Sequence, residues 1–199
     1  MDSGFFKFFE SFENIHQALK IKNIKRIYLI YFLFIFAWTM LFQFAPVLVI
    51  SKFKFTHSQI GDLAAFMGVC WAIGSGIVNR MLLSKFENKK ILEYALFFFI
   101  ASSAVVGFLD LSLSVLIVLG ICGAIGGVAW PICTGIISSK VSQSQQGKIL
   151  GISQSMQSLA MATSPVIGGY LSGYFMEFPF VVASFAAFLG VLVYVKGKI

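Results

Sequence analysis

The chain has 199 residues, of which 58% are hydrophobic and only 12% are charged, and its mean hydropathy is +0.89. Soluble domains carry about a quarter charged residues, so this chain lacks the polar surface that a fold surrounded by water requires. The formal charge of +7 does not indicate nucleic-acid binding, because the basic residues are scattered over several short segments. The composition therefore predicts an integral membrane protein.

Six apolar runs are each long enough to cross a bilayer, which takes about 20 residues of helix. None of them alternates with a period of two, so all are predicted to be helices. The predicted fold class is an all-α integral membrane protein, in which residues 27–199 form a domain of six transmembrane helices. The predicted spans are 27–50, 58–78, 91–109, 111–137, 149–173 and 178–195.

Residues 1–26 are predicted to form a cytoplasmic amphipathic segment. The chain does not open like a signal peptide, because Asp2 and Glu10 take the place of basic residues. The apolar residues of the segment recur at helical spacing, which predicts a helix lying flat on the membrane surface. A Phe-rich linker is the alternative. The apolar residues are Phe5, Phe8, Phe9, Phe12, Ile15 and Leu19.

The first two spans carry tryptophans near the bilayer centre, where a tryptophan does not act as an interfacial anchor. Trp38, with Gln43 nearby, is predicted to line a site for a bulky and partly apolar ligand. Trp71 is expected to fill the core, because it adjoins a stripe of small residues that lets another helix approach closely. That stripe consists of Ala64, Gly68, Ala72 and Gly76.

The four-residue spacing of glycines recurs in the later spans, in the pairs Gly123 and Gly127, Gly147 and Gly151, and Gly169 and Gly173. Helix packing explains each pair alone, but their number favours a tightly packed bundle whose helices can rock. In the fourth span, Trp130 beside Pro131 marks either a bend with freed carbonyl groups or a plain proline kink.

The fifth span is the least hydrophobic of the six, and Gln154, Gln157, Ser158 and Met161 share one of its faces. Amide side chains turned toward lipid would lack hydrogen-bond partners. This face therefore either lines a water-accessible cavity or bonds to neighbouring helices, and the residues alone favour both readings equally.

Basic residues alternate between the two sides of the predicted domain. The N-terminal segment, the second loop, the fourth loop and the tail carry all of them except Lys52 and Lys54. Because cationic loops stay in the cytoplasm, both termini are predicted to be cytoplasmic and the protein to lie in the cell (inner) membrane. The basic loops are also expected to contact anionic lipid head groups.

The sequence offers no catalytic centre. Both histidines, His16 and His57, lie outside the predicted spans, so Ser75 has no base beside it, and no Walker motif is present. The three cysteines lie inside spans without a CxxC pair, so neither a zinc site nor a disulfide framework is suggested. Transport without a cofactor or a metal is therefore the leading hypothesis, and enzymatic activity is not expected.

Three stretches resemble motifs of one transporter family. Residues 75–80, Ser-Gly-Ile-Val-Asn-Arg, resemble the weaker copy of a cytoplasmic Gly-Asp-Arg loop motif, with Asn79 where the stronger copy has aspartate. Residues 146–151 resemble the opening of helix eleven, and residues 164–169 resemble a Gly-Pro-x-x-Gly-Gly signature in which Ser164 replaces the first glycine. In this order they resemble the C-terminal six-helix half of a major facilitator superfamily transporter, closest to its drug–proton antiporters.

The resemblance implies secondary active transport of a small organic solute or drug by alternating access, with the substrate bound between two six-helix halves. It also implies that the first, second, fourth and fifth spans face the cavity, and that residues 1–26 correspond to the linker between halves. The implied cavity residues are Trp38, Gln43, Trp130, Gln154, Gln157 and Ser158, and the implied conformational residues are Asn79, Arg80, Gly147, Pro165, Gly168 and Gly169.

The expected partners are membrane lipids, a small-molecule substrate, and either a separately encoded N-terminal six-helix half or a second copy of the chain. Nucleic acid is not an expected partner. Two alternatives stay open, namely a non-transporting remnant of a truncated or split transporter gene, and a structural or assembly membrane protein.

Overall fold

The computed structural model describes residues 24–108 and 114–197, and within them every long element is an α-helix. A π-helical turn, Gly74–Val78, joins the second helix to the third without a break, and a turn of 3-10 helix, Gln143–Gln145, precedes the sixth. The predicted all-α class is confirmed. The helices are α1 Ile24–Phe53, α2 His57–Ile73, α3 Asn79–Leu83, α4 Asn88–Phe108, α5 Val115–Ser138, α6 Gln146–Ser172 and α7 Phe178–Gly197.

Five helical segments of the described residues are long and apolar enough to cross a bilayer. The fifth predicted span, 149–173, corresponds to α6, which has a sufficient length of 27 residues but is the least hydrophobic of the long helices. Residues 1–23 of the predicted amphipathic segment lie outside the described residues. The predicted boundary between the third and fourth spans, at residues 109–111, lies outside them as well. The five segments are Ile24–Phe53, His57–Leu83, Asn88–Phe108, Val115–Ser138 and Phe178–Lys196.

Helix α1 forms the centre of the bundle. Of its most apolar stretch 67% is buried, and it packs against α5, α6 and α7. The hydroxyl of Tyr28 donates a 2.8 Å hydrogen bond to the carbonyl oxygen of Ile149, which satisfies a buried phenol and fastens α1 to α6.

Helices α4 and α7 are joined by a buried polar contact. The hydroxyls of Ser103 and Ser184 lie 2.8 Å apart, and each is also within hydrogen-bond distance of a carbonyl one turn earlier in its own helix, at 2.7 Å from Phe99 and 3.0 Å from Phe180. One hydroxyl donates to the other, and the accepting hydroxyl donates to its own helix. Hydroxyl groups inside a bilayer need such partners, so this pair fixes where the two helices meet.

Local signals set the start of α2 and the π-helical turn that follows it. Thr56 and Gln59 form a capping box, in which the backbone N–H of Gln59 donates to the Thr56 hydroxyl and the Gln59 side chain accepts from the Thr56 N–H. The π-helical turn begins with Gly74-Ser75-Gly76. Because glycine stabilises an α-helix poorly, these two glycines lower the free-energy cost of departing from α-helical geometry.

Helix α2 is held mainly by α5, and glycines on both helices allow the close approach. Only 17% of the most apolar stretch of the α2 segment is buried. A Cβ added to Gly74 would overlap the backbone of Ala124, and one added to Gly127 would overlap the backbone of Trp71. A Cβ added to Gly123 would lie 3.0 Å from the carbonyl oxygen of Met67. The predicted packing role of Gly123 and Gly127 is confirmed.

The predicted small-residue stripe of α2 does not face another helix of the described chain. Ala64, Gly68, Ala72 and Gly76 are all exposed, and a Cβ added to Gly68 or Gly76 would meet nothing within 4 Å. The four-residue spacing therefore marks an open face of α2, and Gly74, which lies outside the spacing, makes the contact. Cβ atoms added to Gly147, Gly151 and Gly169 would likewise meet open space.

A matched pair of substitutions tests this seam between α2 and α5. Gly74→Ala should lower the free energy of unfolding by about 1–3 kcal/mol, as overpacking of a tight contact does. Gly76→Ala, two residues away and open, should leave stability unchanged or raise it by up to about 1 kcal/mol, because alanine is the better helix former. Thermal unfolding in detergent measures both, and equal effects of the two changes would contradict the described contact.

Candidate substrate site

A pocket of about 370 Å³ opens between α1, α2, α5 and α6. The four helices correspond to the first, second, fourth and fifth predicted spans, and the volume lies within the range of small-molecule sites. Helix α1 contributes the largest share of the wall. The lining residues are Trp38, Thr39, Phe42 and Gln43 from α1, Met67, Gly68 and Trp71 from α2, Trp130 from α5 and Met161 from α6.

Three glycines of α5 form the surface on which residues of the pocket wall pack. Gly123 and Gly127 lie against the backbones of Met67 and Trp71. Between them, Gly126 lies under the indole of Trp38, where an added Cβ would come within 2.7 Å of ring atoms. The pocket therefore depends on missing side chains of α5. The four-residue spacing of glycines did not identify Gly126 as a packing position. Its place directly beside Gly127 in the sequence could have identified it.

The wall of the pocket is aromatic. The rings of Trp71 and Trp130 meet edge to face, with centroids 6.4 Å apart and an interplanar angle of 88°. The ring of Trp38 lies 5.8 Å from that of Phe42 and 6.4 Å from that of Phe99, which backs it from α4. The chain has three tryptophans, and all of them line this pocket. Trp71, which was expected to fill the core, packs against the core but is only half-buried and also lines the pocket.

Polar groups of the pocket are few and uncharged. Thr39 is buried, Gln43 is exposed, and no acidic or basic side chain is among the residues that line the pocket. Gln157 lies behind Met161, since its amide nitrogen donates to the Met161 sulfur at 3.7 Å. The hydroxyl of Tyr31 donates to the Gln157 amide oxygen at 3.2 Å. Such a wall suits a partly apolar ligand, either neutral or carrying a delocalised positive charge that an indole face attracts.

The predicted cavity residues divide into three groups. Trp38, Gln43 and Trp130 share one pocket wall, and Gln157 adjoins it through Met161. Gln154 and Ser158 are exposed on α6 and do not line it. The role of all six in binding a substrate stays a prediction. Sequence reasoning did not nominate Met67, although it lies one helical turn before Trp71 and so shares its face.

Among the predicted conformational residues, Gly168 has the clearest packing role. A Cβ there would overlap the ring of Phe44 on α1. Asn79 is buried, and its side-chain oxygen accepts no hydrogen bond from the described residues, whereas Arg80 is exposed. The contacts of the remaining three do not define a role, and a Cβ added to Gly147 or Gly169 would meet nothing within 4 Å. Pro165 is half-buried within α6, and Gly147 and Gly169 are exposed.

The described helices form a bundle with an aromatic pocket among four of them. The family model described as the Major Facilitator Superfamily matches residues 27–198. The chain belongs to the major facilitator superfamily, and the resemblance given by its motifs is confirmed at that level. Its helices are consistent with half of the facilitator fold.

Two curated relatives are transporters by name. The chain is 29% identical to "Solute carrier family 22 member 18" of Mus musculus over 131 residues, which are 63% of this chain and 31% of that protein. It is 25% identical to "Solute carrier family 67 member A1" of Homo sapiens over 131 residues, which are 63% of this chain and 30% of that protein. The match therefore spans about a third of each relative's length.

Tryptophan fluorescence reports on this pocket alone, because every tryptophan of the chain lines it. We expect acrylamide to quench Trp38 least, since it is 7% exposed whereas Trp71 and Trp130 are half-buried. The measurement uses three variants in detergent, each keeping one tryptophan and replacing the other two with phenylalanine. Quenching of Trp38 equal to that of Trp71 would contradict the described wall.

Proposed function

We propose that the chain forms the C-terminal half of a secondary active transporter that moves a small organic solute or drug by alternating access. The observation that carries the proposal is the tryptophan-lined pocket between α1, α2, α5 and α6 in a chain of this superfamily. The uncharged, aromatic wall favours a bulky substrate that is partly apolar, including organic cations. An anion finds no cationic side chain in the lining.

We further propose that the pocket is half of a substrate site, which a second six-helix unit completes. Gly68 and Met161 on the pocket wall and Gln154 and Ser158 beyond it are exposed in the described chain. Amide and hydroxyl groups facing lipid would be costly, so protein or water should cover this face. The expected unit is a separately encoded N-terminal half or a second copy of the chain.

The proposed movement is a rocking of the two units about the shared site. Helix α2 suits such a movement, because α5 is its main contact and a π-helical turn lies just beyond Trp71. Proton coupling requires an ionisable group, and the pocket wall contains none. A coupling carboxylate would therefore come from the second unit. The basic loops favour cytoplasmic termini and a place in the cell (inner) membrane.

The proposal is tested by transport in cells or vesicles that contain the chain alone or with a candidate N-terminal half. A panel of neutral and cationic aromatic compounds should include at least one that moves faster than in vesicles lacking the chain. A chain that inserts but moves nothing in either setting would contradict the proposal and favour a non-transporting remnant.

Gln43→Leu tests the pocket wall once a transported compound is found. Loss of one uncharged hydrogen bond, worth about 1 kcal/mol, should lower kcat/KM for a hydrogen-bonding substrate about fivefold. The matched control is Gln143→Leu, in the exposed 3-10 turn before α6, which should leave transport unchanged. Equal kcat/KM values for the two variants would show that Gln43 does not contact the substrate.

A further inference from the structure

A second groove, of about 300 Å³, lies between α3, α4 and α5 and shares no residue with the tryptophan-lined pocket. Leu82 and Phe86 line the groove on one side, and Tyr94 and Phe98 of α4 line it on another. Ile125 of α5 also lines the groove. Tyr94 and Phe98 are 59% and 57% exposed. Apart from the Tyr94 hydroxyl, every side chain that lines the groove is a hydrocarbon. The groove therefore suits an apolar chain and offers a polar ligand nothing to bind.

Basic residues surround one end of this groove. Lys85 adjoins Phe86 in the turn between α3 and α4, Lys89 lies in the first turn of α4, and Lys90 lies one helical turn before Tyr94. All three are exposed, and none lies within ion-pair distance of a carboxylate among the described residues. Glu87 and Glu93 lie in the same stretch, so its three lysines and two glutamates leave residues 85–93 with a net charge of +1. This excess positive charge can attract an anion to the end of the groove.

We propose that this groove holds an acyl chain of an anionic phospholipid whose head group lies against Lys85, Lys89 and Lys90. The wall on α4 runs from Ile91 to Phe98, a rise of about 10 Å, which is most of the depth of one leaflet's hydrocarbon layer at about 15 Å. A lipid seated there has its phosphate at the level of the lysines. Zwitterionic lipids fit the apolar wall equally well but gain less from the cationic end.

Such a lipid would touch both sides of the seam between α2 and α5. Val78, in the π-helical turn, and Ala124, whose backbone packs against Gly74, both line the groove. Occupancy should therefore stabilise the contact that positions Trp71 beside Trp130. The site depends only on the chain lying in a bilayer and holds whether or not the chain transports a solute.

Photo-cross-linking of the full 199-residue chain in nanodiscs tests the proposal. Two probes carry the same photoactivatable acyl chain, one on phosphatidylglycerol and one on phosphatidylcholine. The phosphatidylglycerol probe should label peptides containing residues 82–98 and 124–128 roughly fivefold more than the phosphatidylcholine probe, as expected for one net positive charge near an anionic head group. The exposed residues Phe185 and Val195 of α7 serve as the lipid-facing reference.

Two variants separate the head-group contact from the apolar contact. The triple change Lys85→Gln, Lys89→Gln and Lys90→Gln should abolish the preference for phosphatidylglycerol, whereas Lys140→Gln, Lys148→Gln and Lys196→Gln should keep it. Ile125→Trp, which fills the groove, should reduce labelling by both probes. Equal labelling by the two probes in the unmodified chain, labelling no stronger than at α7, or identical behaviour of the two triple variants would overturn the proposal. If a second protein segment occupies the groove, neither probe will label it. Absence of label in the groove would therefore also overturn the proposal.

Discussion

The close approach of α2 to α5 is the constraint on which the candidate site depends. Gly123 and Gly127 accept the backbone of α2, and Gly126 between them accepts the indole of Trp38 from α1. Without these missing side chains, Trp71 could not lie edge to face with Trp130. One short stretch of α5 thus fixes the positions of two neighbouring helices, and with them the shape of the pocket.

The bilayer imposes the second constraint, because polar groups need partners within the protein. In the core this requirement is met by contacts such as that of Tyr28 with Ile149 and that of Ser103 with Ser184. On α6 it is met for Gln157, which bonds to Tyr31 and Met161, but the other polar side chains of that face are exposed. Two buried groups are exceptions, because the side-chain oxygens of Asn79 and Ser164 have no hydrogen-bond partner among the described residues.

The sequence predicted the helical class, because the length and hydropathy of a span follow directly from bilayer thickness. It predicted side-chain direction less well. Trp71 was expected to fill the core, yet it also lines the pocket. Gln154, Gln157, Ser158 and Met161 share one face of α6. The pocket is narrower than this face, so only Met161 lines it. Periodicity assigns residues to a face, whereas neighbouring helices decide which part of the face lines a site.

Protection of an introduced cysteine from labelling shows whether a transported compound binds in the tryptophan-lined pocket. With the three native cysteines replaced, a cysteine at position 161 (Met161→Cys) lies on the pocket wall, and a cysteine at position 155 (Ser155→Cys) is exposed on the same helix outside the pocket. We expect a transported compound to slow maleimide labelling at position 161 and to leave labelling at position 155 unaffected. Equal labelling rates at position 161 with and without the compound would contradict binding in this pocket.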